Sequence, residues 1–168
     1  TVTNLTINSG VTLNLNGKNL TVSDTLSNAG TVRAFGYEAI SITTIDTDSG
    51  TFTYIGDGDG TAETFTIADI GTTDHYNLII NDANATKDTF QTNANLNVAG
   101  ALNVTSGTLD ISTNTNTLTT TGTLTVDGGT LTATGGTIDA NGSVTISSGT
   151  LTAPSGSFTI AGNFTHSG

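Results

Sequence analysis

A glycine repeat in the last third of the chain constrains the fold more than any other feature of the sequence. From residue 122, glycines are spaced 7, 7, 6, 7, 7 and 6 residues apart, which gives a period of 20. Apolar and polar residues alternate in the short runs between them, a pattern typical of strands with one buried face. Glycine permits the tight corners between such strands. Three strands and three corners every 20 residues predict a triangular parallel β-solenoid.

Residues 20 positions apart have similar side chains, as stacked turns of a solenoid require. Leu124 is matched by Val144 and Phe164, and Leu131 is matched by Leu151. An antiparallel sandwich is the main structural alternative, but hairpins do not require this register. A helical bundle is disfavoured because no apolar stripe with a 3.6-residue period survives a glycine every seventh residue.

The same pattern continues toward the start of the chain with looser spacing. Leu102–Leu118 and Leu78–Val98 each fit one turn, and residues 1–34 fit one or two more. We therefore predict six or seven turns, a rod of roughly 30 Å at about 4.8 Å per turn. The expected organisation is N-terminal turns in 1–34 and regular turns in 77–168, with a different segment between them.

Residues 35–76 interrupt the repeat and contain six of the nine aromatic residues. Two strand-like runs, Thr51–Ile55 and Glu63–Ile67, flank the glycine- and aspartate-rich sequence Gly56–Gly60. This arrangement predicts a hairpin insertion that projects from the rod. The alternative is a distorted pair of solenoid turns with long corners.

Composition excludes several classes of function. The net charge is −11 with only three basic residues, so a nucleic-acid backbone would be repelled. No run of 18 apolar residues occurs, which argues against insertion in a membrane. Cysteine and methionine are absent, so we expect no thiolate metal site and a processed or excerpted segment. The acids on the regular turns are isolated, and we expect neither an enzyme nor a catalytic cofactor.

One group of acids is a candidate metal site. Asp57, Asp59 and Glu63 lie close in sequence and offer the oxygen ligands that Ca²⁺ prefers. The twelfth position of an EF-hand loop beginning at Asp57 is Ala68, so that ligand pattern is incomplete. The alternative is that these aspartates and glycines only form turns.

Four stretches resemble the repeats of bacterial cell-surface and secreted β-solenoid proteins, which include adhesins, autotransporter passengers and haemagglutinin-like proteins. They are Tyr76–Ile80, Leu96–Val98, Gly107–Ile111 and Gly162–Thr165. The resemblance implies secretion, a right-handed parallel β-helix and a structural or adhesive role. It brings no catalytic motif.

The expected function is therefore a segment of an extracellular filament or cell-surface stalk. We expect it to join head to tail, either between separate copies or between tandem copies in a longer chain. Thr1 and Leu5 at one end, with Phe164, His166 and Gly168 at the other, are the predicted junction residues. The alternative is an adhesin module that binds a glycan or a host receptor through the insertion. Lateral contacts are expected from Phe52, Tyr54 and Phe65, because aromatic residues are favoured at interfaces.

Overall fold

A computed structural model describes residues 1–167 of the chain, apart from the side chain of Asn114. It is an all-β parallel solenoid of about eight turns with about 20 residues per turn, which confirms the predicted fold class. A single 3₁₀ turn, Thr113–Thr115, is the helical element within the described residues. The strands are β1 Leu5–Ile7, β2 Thr12–Asn14, β3 Leu20–Asn28, β4 Thr31–Ala34, β5 Ile40–Ile45, β6 Thr51–Tyr54, β7 Thr64–Thr66, β8 Asn77–Asn81, β9 Thr89–Gln91, β10 Leu96–Val98, β11 Leu102–Ser106, β12 Thr108–Asp110, β13 Thr117–Thr120, β14 Leu124–Thr132, β15 Thr137–Ala140, β16 Val144–Thr152, β17 Phe158–Ile160 and β18 Phe164–His166.

One face of the solenoid runs along the whole rod. Its strands are β2, β4, β6, β8, β11, the first part of β14, the first part of β16, and β18, and each pairs in parallel with the next. Leu124 pairs with Val144, and Val144 pairs with Phe164, as the 20-residue period predicts. The predicted stack of Leu131 on Leu151 is also present.

The core is a set of apolar columns that run parallel to the rod axis. Alternate residues of each strand point inward, so Leu102, Leu124, Leu131 and Ile138 are completely buried. Burial of one such side chain stabilises the fold by roughly 1.5–3 kcal/mol. Each turn contacts only its neighbours, so the stability of the rod accumulates turn by turn.

Close stacking of the corners explains why glycine recurs there. Gly149 has a φ of +83°, and a β-carbon at this position would lie 2.2 Å from the carbonyl oxygen of Gly129 on the turn below. Any other residue would require both a strained backbone and displacement of the neighbouring turn.

The predicted hairpin in residues 35–76 is wrong, and the alternative of distorted solenoid turns is correct. Strand β6 pairs in parallel with β4 and β8, and β7 pairs in parallel with β9. The two strands flanking Gly56–Gly60 therefore lie on different faces instead of pairing with each other. The sequence pattern of a hairpin and that of a long solenoid corner are the same over this short range, because both need alternating strands joined by turn residues.

The turn count is also higher than the six or seven predicted from sequence. The continuous face has eight strands because β6 adds a turn inside the segment expected to project from the rod. Spacing along this face is 20 residues from Val32 to Phe52 but 26 from Phe52 to Leu78. The long corner conceals the repeat from a search at a fixed period.

Candidate functional site

The first turn leaves one end of the rod uncovered. Within residues 1–167, strands β1 and β2 each pair only with the strand of the second turn, β3 and β4 respectively. Leu5 and Leu13 point inward but stay only half-buried, and Val2 is 43% exposed. Thr1, the other predicted junction residue at this end, is exposed. This end therefore presents apolar side chains and unpaired strand edges together.

The last turn leaves the opposite end uncovered in the same way. In the part of the chain that the structure describes, strand β17 pairs only with β15, and β18 pairs only with β16. Phe164 is 53% exposed although it continues the buried column of Leu124 and Val144. His166 continues the column of Ile146 and is exposed. The predicted residues Phe164 and His166 thus lie together on one end, whereas Gly168 lies outside the described residues.

The free backbone groups of the two ends are complementary in direction. The backbone oxygen of Asn163 accepts a hydrogen bond from Val144 N, and Ser167 N donates to Ile146 O. Because direction alternates along a strand, the N–H and C=O groups of Phe164 and His166 point away from the rod. At the other end, Leu15 N donates to Arg33 O, so the backbone groups of Asn14 point outward by the same alternation.

The aromatic residues predicted to make lateral contacts are instead part of the core. Phe52, Tyr54 and Phe65 are 2%, 1% and 8% exposed, so they offer no side-chain surface to a ligand or a second subunit. Their rings are part of a ladder in which Phe65 contacts Phe90, with ring centroids 6.2 Å apart, and Phe90 contacts Tyr54 at 5.8 Å. The turns here contain 24–26 residues, and aromatic rings take the inward positions that aliphatic side chains occupy in the regular turns.

His75 belongs to the same ladder, a role that no sequence pattern indicated. Its ring centroid lies 4.7 Å from that of Phe52, and neither ring nitrogen has a hydrogen-bond partner among the residues described. Complete burial lowers the pKa of His75 to about 3, so its imidazole is neutral at ordinary pH. His75 is therefore a packing residue, and it is one that responds to acid.

The predicted acidic group does come together in space. Single carboxylate oxygens of Asp57, Asp59 and Glu63 all lie within 4.8 Å of one another. Partial burial and the neighbouring carboxylates of Asp59 and Asp57 raise the pKa of Glu63. Asp59 accepts a hydrogen bond of 2.8 Å from Thr61 N, which is the bond expected of a turn aspartate. Exposed acids often gather in this way without an ion, so the group alone assigns no metal.

A groove interrupts the lateral surface in the first half of the rod, after the second of its eight turns. Its volume is about 260 Å³, and it lies between the end of β5 and the segment from Ile70 to Thr73. Among the described residues, strand β5 pairs only with β3, and the turn above has no strand opposite the end of β5. The other lining residues are mainly threonines: Thr43, Thr44, Thr47 and Thr72, with Ile45 and Gly71. The sequence did not predict this groove, because it depends on where one sheet stops and the next begins.

These features define a parallel β-solenoid with two uncovered ends and an interrupted sheet. Comparison with protein-family models, with curated proteins and with solved structures found no match to this chain. None of the helical structure in residues 1–167 has the length and apolar character needed to span a membrane.

Proposed function

We propose that this chain is a segment of an extracellular filament or cell-surface stalk that lengthens when its solenoid ends stack head to tail. The observation that carries the proposal is the pair of uncovered ends, of which the half-exposed Phe164 is the clearest feature. An uncovered apolar turn with free strand edges is a surface that favours pairing with another strand. The resemblance to bacterial surface β-solenoid repeats supports an extracellular role.

One register of the two ends both pairs their free backbone groups and stacks their inward side chains. With β18 of one copy parallel to β2 of the next, Phe164 stacks on Leu13 and His166 stacks on Leu15. With β17 parallel to β1, Phe158 stacks on Leu5 and Ile160 stacks on Ile7. In this register the outward backbone groups of one strand face those of the other, as in the parallel pairs within the rod.

Stacking of this kind is heterologous, because different surfaces meet at the junction. Repetition of a heterologous contact produces an open fibre unless the geometry closes a ring. Each copy would add about 38 Å, from eight turns at about 4.8 Å. The same contact would join tandem copies within a longer chain. The alternative adhesin function loses three of its supporting residues, because Phe52, Tyr54 and Phe65 are buried, and it keeps Tyr37, which is 52% exposed.

The test uses two variants that block opposite ends. Phe164→Lys places a charge on the last turn, and Leu5→Lys places one on the first, so neither variant alone should form rods longer than one copy. Mixed in equal amounts, they retain one intact junction per pair and should form dimers by light scattering. Thr132→Lys, on the lateral surface, is the matched control and should form filaments like the unmodified chain.

Three results would contradict the proposal. The unmodified chain could stay at the mass of one copy up to about 1 mM, a limit that corresponds to a binding free energy near −4 kcal/mol. Phe164→Lys could dimerise alone, which would indicate contacts between identical ends. Thr132→Lys could block assembly as strongly as Phe164→Lys, which would place the contact on the side of the rod.

A further inference from the structure

We infer that the groove beside β5 binds an extended, positively charged peptide segment, which pairs with the free edge of β5 as an added parallel or antiparallel strand. The site is separate from the two ends of the rod. It does not depend on the proposed filament.

The first observation is that the backbone of β5 has hydrogen-bonding groups without partners. Leu20 N donates to Ala39 O, and Asp46 N donates to Leu26 O, so Ala39 and Asp46 face β3. By alternation, the N–H and C=O groups of Ile42 and Ile45 face the other way. Within residues 1–167, neither of these residues is hydrogen-bonded to the turn above. An exposed strand edge of this kind is the surface that β-strand addition uses.

The second observation is that an open space lies along this edge. Ile45 lines the groove on the side of β5, and the opposite wall is formed by Ile70, Gly71, Thr72 and Thr73. The wall opposite β5 has no regular secondary structure. Threonine hydroxyls on both walls can bond to a peptide backbone without selecting particular side chains. A glycan is less suited to this groove, because none of the lining residues is aromatic.

The charge near the groove selects the kind of peptide. Asp46 lies between the lining residues Ile45 and Thr47, and Asp48 and Asp69 each adjoin one wall in sequence. Asp74 does not contribute, because it is buried and accepts hydrogen bonds from Ile70 N and Asn97 N. One carboxylate oxygen of Asp46 accepts a hydrogen bond from Asn28 N, and the other is buried without a partner among the described residues. None of the three basic residues of the chain lines the groove. A second copy of this chain offers no basic segment for this groove, because its three basic residues, Lys18, Arg33 and Lys87, are far apart in sequence.

The experiment measures binding of labelled peptides by fluorescence anisotropy. The first peptide alternates lysine and valine over seven residues, and the controls are its glutamate–valine equivalent and a lysine–proline version that cannot form a strand. We expect the lysine–valine peptide to bind, more weakly as salt increases, and the two controls not to bind.

Variants locate the bound peptide. Ile45→Pro removes an N–H on the free edge, where proline does not disturb the bonds to β3, and should weaken binding about tenfold or more. Thr72→Lys on the opposite wall should also weaken it and carries little risk to folding, because Thr72 is exposed. Asp48→Asn should weaken binding roughly two- to fivefold, as expected for an exposed charge. Asp127→Asn, an equal change of charge several turns away, should have no effect.

The inference is overturned if the lysine–valine peptide fails to bind, or if the glutamate–valine peptide binds equally well. It is also overturned if Ile45→Pro and Thr72→Lys both leave binding unchanged while Phe164→Lys abolishes it. That last result would place the peptide at the end of the rod and would leave the filament proposal intact.

Discussion

Leu131 and Leu151 occupy one column of the core but differ in how they are covered, which makes them a matched pair for testing the uncovered ends. Leu131 is completely buried between Leu109 and Leu151, whereas Leu151 is covered by Leu131 on one side and is only partly buried. Replacement of a buried leucine by alanine costs about 2–5 kcal/mol. We expect about 3 kcal/mol for Leu131→Ala and about half of that for Leu151→Ala in dilute, unassembled protein.

Urea denaturation followed by far-ultraviolet circular dichroism measures the loss of stability. Because a solenoid can unfold from one end, hydrogen exchange should accompany it to separate fraying of the last turn from global unfolding. At concentrations where copies stack, a neighbouring turn covers Leu151, and the effect of Leu151→Ala should approach that of Leu131→Ala. Equal effects of the two substitutions in dilute protein would refute the reasoning, since they would mean that the last turn is already covered.

Two further predictions concern the core. His75→Phe should reduce the sensitivity of the protein to acid. Because the pKa of His75 is near 3 in the folded protein and about 6.5 in the unfolded chain, the free energy of unfolding falls as the pH drops from 6.5 toward 3, by about 3 kcal/mol at pH 4. Urea midpoints at pH 8 and pH 4 measure this loss, and an equal loss in the variant and the unmodified protein would contradict the prediction. Leu131→Asp should unfold the surrounding turns because it buries an unpaired carboxylate. Thr132→Asp, which points outward, should change the melting temperature little. Equal sensitivity at both positions would contradict the assigned inward and outward faces.

The aromatic ladder shows why composition alone was misleading in the middle of the chain. Aromatic residues are enriched at interfaces and in cores for the same reason, which is the large apolar area that each ring buries. The sequence places Phe52, Tyr54 and Phe65 in one segment but does not indicate whether that segment lies on the rod or projects from it. The parallel pairing of β6 between β4 and β8 decides this, and it places the rings inside.

In the last third of the chain, the amino-acid pattern alone predicts the solenoid fold, the 20-residue turns and the inward columns. There the period is regular, and each turn contacts only its neighbours, so local spacing is sufficient to fix the register. The sequence also predicts the acidic group of Asp57, Asp59 and Glu63, because these residues are close together along one corner. The path of residues 35–76, the burial of His75 and the free edge of β5 follow only from how the turns are arranged in space. These features depend on contacts between turns of unequal length. A fixed repeat length does not predict which strands pair with each other after a long corner.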